Sequence, residues 1–84
     1  MARSRYTANY REIGRRVAFY RGMRGLSQDD LAAEVGVSKS YLSKIEAANS
    51  EAAFSLDVLF AIAEGLDLDV LVFFLPASEE RIKR

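Results

Sequence analysis

Two serine-capped apolar segments separated by a single glycine-containing turn constrain this 84-residue chain more than any other feature. Ser27 stands three residues before Asp30, the spacing of a capping box in which the hydroxyl accepts from the Asp30 backbone N–H. Leu26 and Leu31 flank it at the spacing of a hydrophobic staple, and Asp29 and Asp30 fall in the first turn, where the helix dipole favours anions. Leu31, Ala32 and Val35 form the inward side, and Gly36 offers a left-handed stop. Ser38 then caps the next helix, with Val37 and Leu42 repeating the staple. Two helices joined by so short a turn must cross steeply, the helix-turn-helix geometry.

The second of these helices, Ser38 to Ala47, has two unlike sides. Leu42 and Ile45 are its apolar side, with Tyr41 on the edge, while Lys39, Ser40, Ser43 and Lys44 lie opposite. A helix before the pair is expected from about Tyr10 to Arg21, because Ile13, Val17 and Tyr20 recur at helical spacing, with Gly22 and Gly25 ending it. A fourth starts at Ser55, its broad apolar face running from Leu56 to Leu66, with Gly65 and Asp67 at its end. Asn49 to Phe54 form the loop before it. Residues 69–75 fit either a fifth helix or a short strand.

Composition narrows the chemistry. The chain holds no cysteine and no histidine, which removes disulfides, thiol nucleophiles, thiolate zinc sites and the commonest general base. Asp29 with Asp30, and Asp67 with Asp69, read more simply as caps than as metal ligands, since no third ligand is evident. No catalytic residue, metal or cofactor is expected. The longest apolar run, Val70 to Ala77, is too short to span a bilayer, and the basic start MARSRYTANYR leads into no apolar stretch. A soluble cytoplasmic chain is expected. Its zero formal charge hides an asymmetry: residues 1–24 hold seven arginines against Glu12 alone, a net of +6, offset by −2 over residues 25–50 and −4 over residues 51–84. One end should therefore attract a polyanion. Arg11, Arg15 and Arg16 are expected to supply long-range attraction or phosphate contact, and Arg3 and Arg5 to sit on an arm along DNA or on a plain tail.

The stretch IGRRVAFYRGMRGLSQDDLAAEVGVSKSYLSKIE resembles the helix-turn-helix of lambda-repressor-like (Xre or Cro-type) transcriptional regulators. Arg21, Leu26, Ser27, Gln28, Leu31, Ala32, Gly36, Val37, Ser38, Tyr41, Leu42, Ser43, Ile45 and Glu46 match its pattern, and SLDVLFAIAEGLDL resembles its fourth helix. The resemblance implies an all-α, compact four- to five-helix domain over residues 10–76, with a flexible basic arm over 1–9 and a charged tail over 77–84. It implies that Gln28 bonds a phosphate, that Lys39, Ser40 and Lys44 face base edges, and that Ser43 lies on the same face. Ser38, Tyr41 and Asn49 complete the expected DNA-binding set. Arg21 and Glu46 match a pair that clamps the first helix to the recognition helix. The chain departs from the family after Glu46, where Ala47 to Glu51 replace a glycine and proline and bring no basic residue. Phosphate contacts from that loop are placed in doubt, although Asn49 and Ser50 can still donate hydrogen bonds.

Apolar on every side, Val70, Leu71, Val72, Phe73, Phe74 and Leu75 are expected to form a homodimer interface, as a helix on its twofold mate or as a strand pairing across the dimer. The reading is a sequence-specific double-stranded DNA-binding regulator, a homodimeric repressor of a near-palindromic operator. The alternatives are an antitoxin-type autorepressor that also binds a toxin, and a protein-interaction module that has lost DNA binding.

Overall fold

The computed structural model describes residues 5–75, which form four α-helices, α1 (Thr7–Met23), α2 (Gln28–Val35), α3 (Lys39–Glu46) and α4 (Leu56–Leu66), followed by a 3₁₀ helix, Val70–Phe74. Arg3 and the tail expected over 77–84 lie outside the described residues. No strand occurs among the described residues, so the all-α expectation holds.

Each helix after the first begins as its sequence dictates. The Ser27, Ser38 and Ser55 hydroxyls accept from the backbone N–H of Asp30, Tyr41 and Val58, and the Ser27–Asp30 box is reciprocal. Gly36 adopts φ 87°, the left-handed stop that lets α3 follow at once. The apolar sides meet in one core of Val17, Tyr20, Leu31, Ala32, Leu42, Ile45, Leu59, Ile62, Ala63, Leu66, Val72 and Phe73.

Several boundaries differ from expectation, each for a local reason. α1 takes in Thr7, Ala8 and Asn9, which the sequence reading gave to a flexible arm over 1–9. Its first turns gain a tertiary partner, the Tyr10 ring meeting Phe54 edge-on at 5.0 Å. Gly22 lies inside α1, and the turn falls at Gly25, φ 73°. Gly65 lies inside α4, which stops at Asp67 in a left-handed conformation, φ 58°.

The last segment is neither an α-helix nor a strand. With three residues per turn, a 3₁₀ helix stacks residues three apart on one side. Val72 and Phe73 enter the core at 6% and 0% exposure, whereas Leu71 and Phe74 face outward at 58% and 47%. Val70 is half-buried and Leu75 exposed. The expected interface of six residues is therefore corrected: Val72 and Phe73 belong to the chain's own core.

Gly14 explains how closely α1 and α3 approach. A Cβ there would overlap the carbonyl of Ile45 in α3, backbone that cannot rotate aside. Glycine on the buried stripe of α1 lets the two helices touch through main chain. Gly14→Ala should lower the unfolding free energy by about 2 kcal/mol through overpacking, measured by urea denaturation. The Tyr20 hydroxyl is buried without a hydrogen-bond partner among the described residues. Because an unpaired buried hydroxyl costs about 1–3 kcal/mol, Tyr20→Phe should leave the thermal midpoint unchanged or raise it; a clear drop would mean the hydroxyl has a partner.

Candidate nucleic-acid interface

The candidate site grows from a charged cluster behind α3. Arg21 Nε and Nη2 donate to the two Glu46 carboxylate oxygens at 2.8 and 2.9 Å, a fork-on-fork pair. Arg21 Nη1 donates to the Leu26 carbonyl at 2.8 Å, which fixes the turn before α2. Gln28 Nε2 donates to Glu46 Oε1 at 2.9 Å. One carboxylate thus joins α1, the start of α2 and the end of α3. The Glu46 side chain is 4% exposed and that of Arg21 20%. The hydrogen bond to Glu46 and its charge hold the Arg21 pKa above its ordinary value, against the opposing effect of burial. Arg21 stays cationic at every pH the fold experiences.

On that support, α3 turns one side outward. Leu42 and Ile45 are buried, Tyr41 is half-buried against the core, and Lys39, Ser40, Ser43 and Lys44 are exposed. The side chains of these four make no hydrogen bond or ion pair among the described residues, which leaves two ammonium groups and two hydroxyls to bind a partner. Ser38 is exposed, with its hydroxyl oxygen occupied by the cap. Asn49 is exposed on the loop after α3. Gln28 differs from expectation, because one amide N–H is held by Glu46 and only the second remains for a phosphate. At the start of α2 the backbone N–H groups of Ser27 and Asp30 are also taken, by the capping box.

The arginines in and beside α1, expected to attract a polyanion, serve mostly as internal ties. Arg11 Nε donates to the Ser50 carbonyl at 2.6 Å. Arg16 Nη1 reaches the Phe73 carbonyl at 3.2 Å, at the end of the 3₁₀ helix. Arg24 Nε and Nη2 donate to the Leu66 and Asp67 carbonyls at 2.8 and 3.0 Å, placing a cation at the C-terminus of α4. Arg15 pairs with Glu12 on the surface, and Arg5 lies over the Tyr6 ring. The roles of Arg11, Arg16 and Arg24 were missed because their carbonyl partners lie up to 57 residues away, a proximity that helical spacing cannot encode.

Comparison with known proteins decides the family. A helix-turn-helix model matches residues 17–73, two-thirds of the chain. The chain belongs to the helix-turn-helix family. The HTH-type transcriptional regulator SinR of Bacillus subtilis (strain 168) is 41% identical over 58 residues, covering 69% of this chain and 51% of SinR. SlrR of the same organism is 62% identical over 34 residues, 40% of this chain and 22% of SlrR. The chain thus spans about half the length of SinR, and less of SlrR. Among solved structures, the restriction-modification controller protein C.AhdI from Aeromonas hydrophila superposes with TM-score 0.73 at 30% identity, covering 80% of this chain and 98% of that one. C.Esp1396I bound to a 25 base pair operator site superposes with TM-score 0.69 at 27% identity, covering 89% and 91%. The family is one of DNA-binding transcriptional regulators.

No helix among the described residues is long and apolar enough to cross a membrane. No group of three histidine, cysteine, aspartate or glutamate side chains among them is placed to hold a metal ion.

The cluster behind α3 makes a stability prediction. Arg21→Met strands an enclosed carboxylate and should cost about 2 kcal/mol, below the value for fully buried pairs because Arg21 is partly hydrated. Arg21→Met/Glu46→Leu should recover most of that loss in urea denaturation. Equal losses in the two variants would mean that the pair does more than satisfy itself.

Proposed function

We propose that the protein is a homodimeric transcriptional repressor that reads a near-palindromic double-stranded operator, each α3 entering the major groove of one half-site. The observation that carries this is the outward side of α3, where Lys39, Ser40, Ser43 and Lys44 stand unpaired over a buried Leu42 and Ile45. Lysine and serine suit guanine and phosphate acceptors without dictating one base. The second Gln28 N–H and the Asn49 carboxamide flank that side as phosphate donors. The operator-bound C.Esp1396I supports the mode of engagement by similarity of fold.

Twofold pairing would use the outward residues of the 3₁₀ helix, Leu71 and Phe74, with Leu75. Leu56 and Phe60 on α4 are also exposed, at 59% and 50%, and enlarge the apolar surface available to a second copy. Half-sites would then lie about 34 Å apart, one turn of duplex. Repression follows from occupying a promoter, a role that asks for no catalytic residue and places the protein in the cytoplasm with its DNA.

Selection of duplexes from a random pool by the wild-type chain, beside Lys39→Glu/Lys44→Glu, tests the reading. A shared near-palindromic site lost in the double variant supports it; no enrichment, or the same duplexes from both proteins, defeats it. On the recovered duplex, Lys44→Glu should weaken binding roughly tenfold or more with the fold intact. The slope of log K against log salt should lie near about −4 for a dimer, four lysines at ~0.9 each. A slope steeper than about −10 would return the α1 arginines to the DNA. Phe74→Asp should move the protein toward monomer in sedimentation; an undisturbed dimer would place the interface elsewhere.

A further inference from the structure

We infer that Arg11 is a positioning residue for DNA binding: from α1 it holds the loop after α3 by two backbone carbonyls, so that the Asn49 carboxamide is presented to the DNA backbone. This rests on the reading of α3 as the recognition helix and extends it to a residue on another element.

The loop needs such a device because of its composition. Residues 47–54 carry no lysine or arginine. A cation attracts phosphate from many directions, whereas a carboxamide contributes only when donor and acceptor are aligned. A loop whose one full charge is the carboxylate of Glu51 can therefore add affinity only if its carboxamide is held in place before the DNA arrives. Arg11 Nε donates to the Ser50 carbonyl at 2.6 Å and Nη2 to the Asn49 carbonyl at 3.4 Å. The loop adds two bonds of its own, Ser50 N–H to the Ala47 carbonyl at 3.2 Å and Ala52 N–H to the Ser50 hydroxyl at 3.0 Å. The neighbouring Tyr10 ring grips the far end of the loop through Phe54. Two consecutive residues of α1 thus fix both ends of the segment.

The direction of these bonds separates positioning from contact. The half-buried Arg11 commits two of its five donors to loop carbonyls, beside a cleft lined by Ala8, Arg15, Glu46 and Ala48. Asn49 keeps its side chain exposed, five residues beyond Lys44. Lysine at position 11 would keep the charge but lose the two-point hold, since one ammonium cannot reproduce the planar fork.

Arg11→Lys is the informative variant, with duplexes selected by the wild-type full chain as the probe. Binding should weaken roughly tenfold, the worth of one charge-assisted hydrogen bond, and the salt slope should not change. In an Asn49→Ala background the same substitution should cost much less, because the group it positions is gone. Wild-type affinity in Arg11→Lys, an equal loss in both backgrounds, or a slope reduced by about 1.8 in Arg11→Gln, two contacts per dimer, would each overturn the inference, the last by making Arg11 itself the phosphate contact. Amide exchange of the unliganded protein supplies a readout without DNA: Ser50 and Ala52 should exchange faster in Arg11→Lys while α2 is unaffected. Unchanged loop exchange overturns the positioning role whether or not a duplex is recovered. Recovery of no duplex by the wild-type chain defeats the DNA-binding reading itself.

Discussion

α3, the proposed recognition helix, depends on a carboxylate that is not on its outward side. Glu46 closes α3, and its two oxygens take both arms of Arg21 and one N–H of Gln28. α3 has only eight residues, too few to be stable alone, and it ends on Ala47 in an extended conformation rather than on a glycine. Its position comes from tertiary contacts: Leu42 and Ile45 below, the Gly14 contact beside Ile45, and the Glu46 cluster at its last turn. The first two set its distance from the core; the third sets its rotation. A groove-reading surface needs both, because a small turn about the helix axis would move every exposed side chain off its acceptor.

α1 is the member that organises the rest. Its side chains tie the loop after α3, the 3₁₀ helix and the end of α3 through Arg11, Arg16 and Arg21 respectively, and Arg24 at its C-cap ties the end of α4. Arginine suits this task, since a long stem and a forked donor reach main-chain carbonyls that a lysine would address singly. The electrostatic outcome is an outward side of α3 whose full charges are Lys39 and Lys44, within a chain of zero formal charge.

Helix starts, the αL turn and the two-sided α3 were legible in the sequence because each rests on residues within four positions of one another. Ser27, Ser38 and Ser55 state their own roles, as does Gly36. The Arg21–Glu46 pair was legible only through family resemblance, being 25 residues apart. Gly14 and Gly65 look like punctuation in a linear reading, yet they lie where helices come closest; their place on an apolar stripe is the clue. Residues 69–75 resisted because hydrophobicity alone does not distinguish periods of 2, 3 and 3.6 over so short a run. The same ambiguity put Val72 and Phe73 on the outside.

The 3₁₀ helix carries a consequence for divergence between related regulators. Its period of three sorts neighbouring residues strictly, Val72 and Phe73 inward, Leu71 and Phe74 outward. Substitutions at the outward pair leave the core's volume alone, while those at the inward pair strike it directly. Under the proposed twofold pairing, duplicated genes could drift apart at Leu71 and Phe74 until their products no longer mix, without either losing its fold. In that pairing, insulation of one regulatory circuit from another would rest on outward side chains that the core does not need.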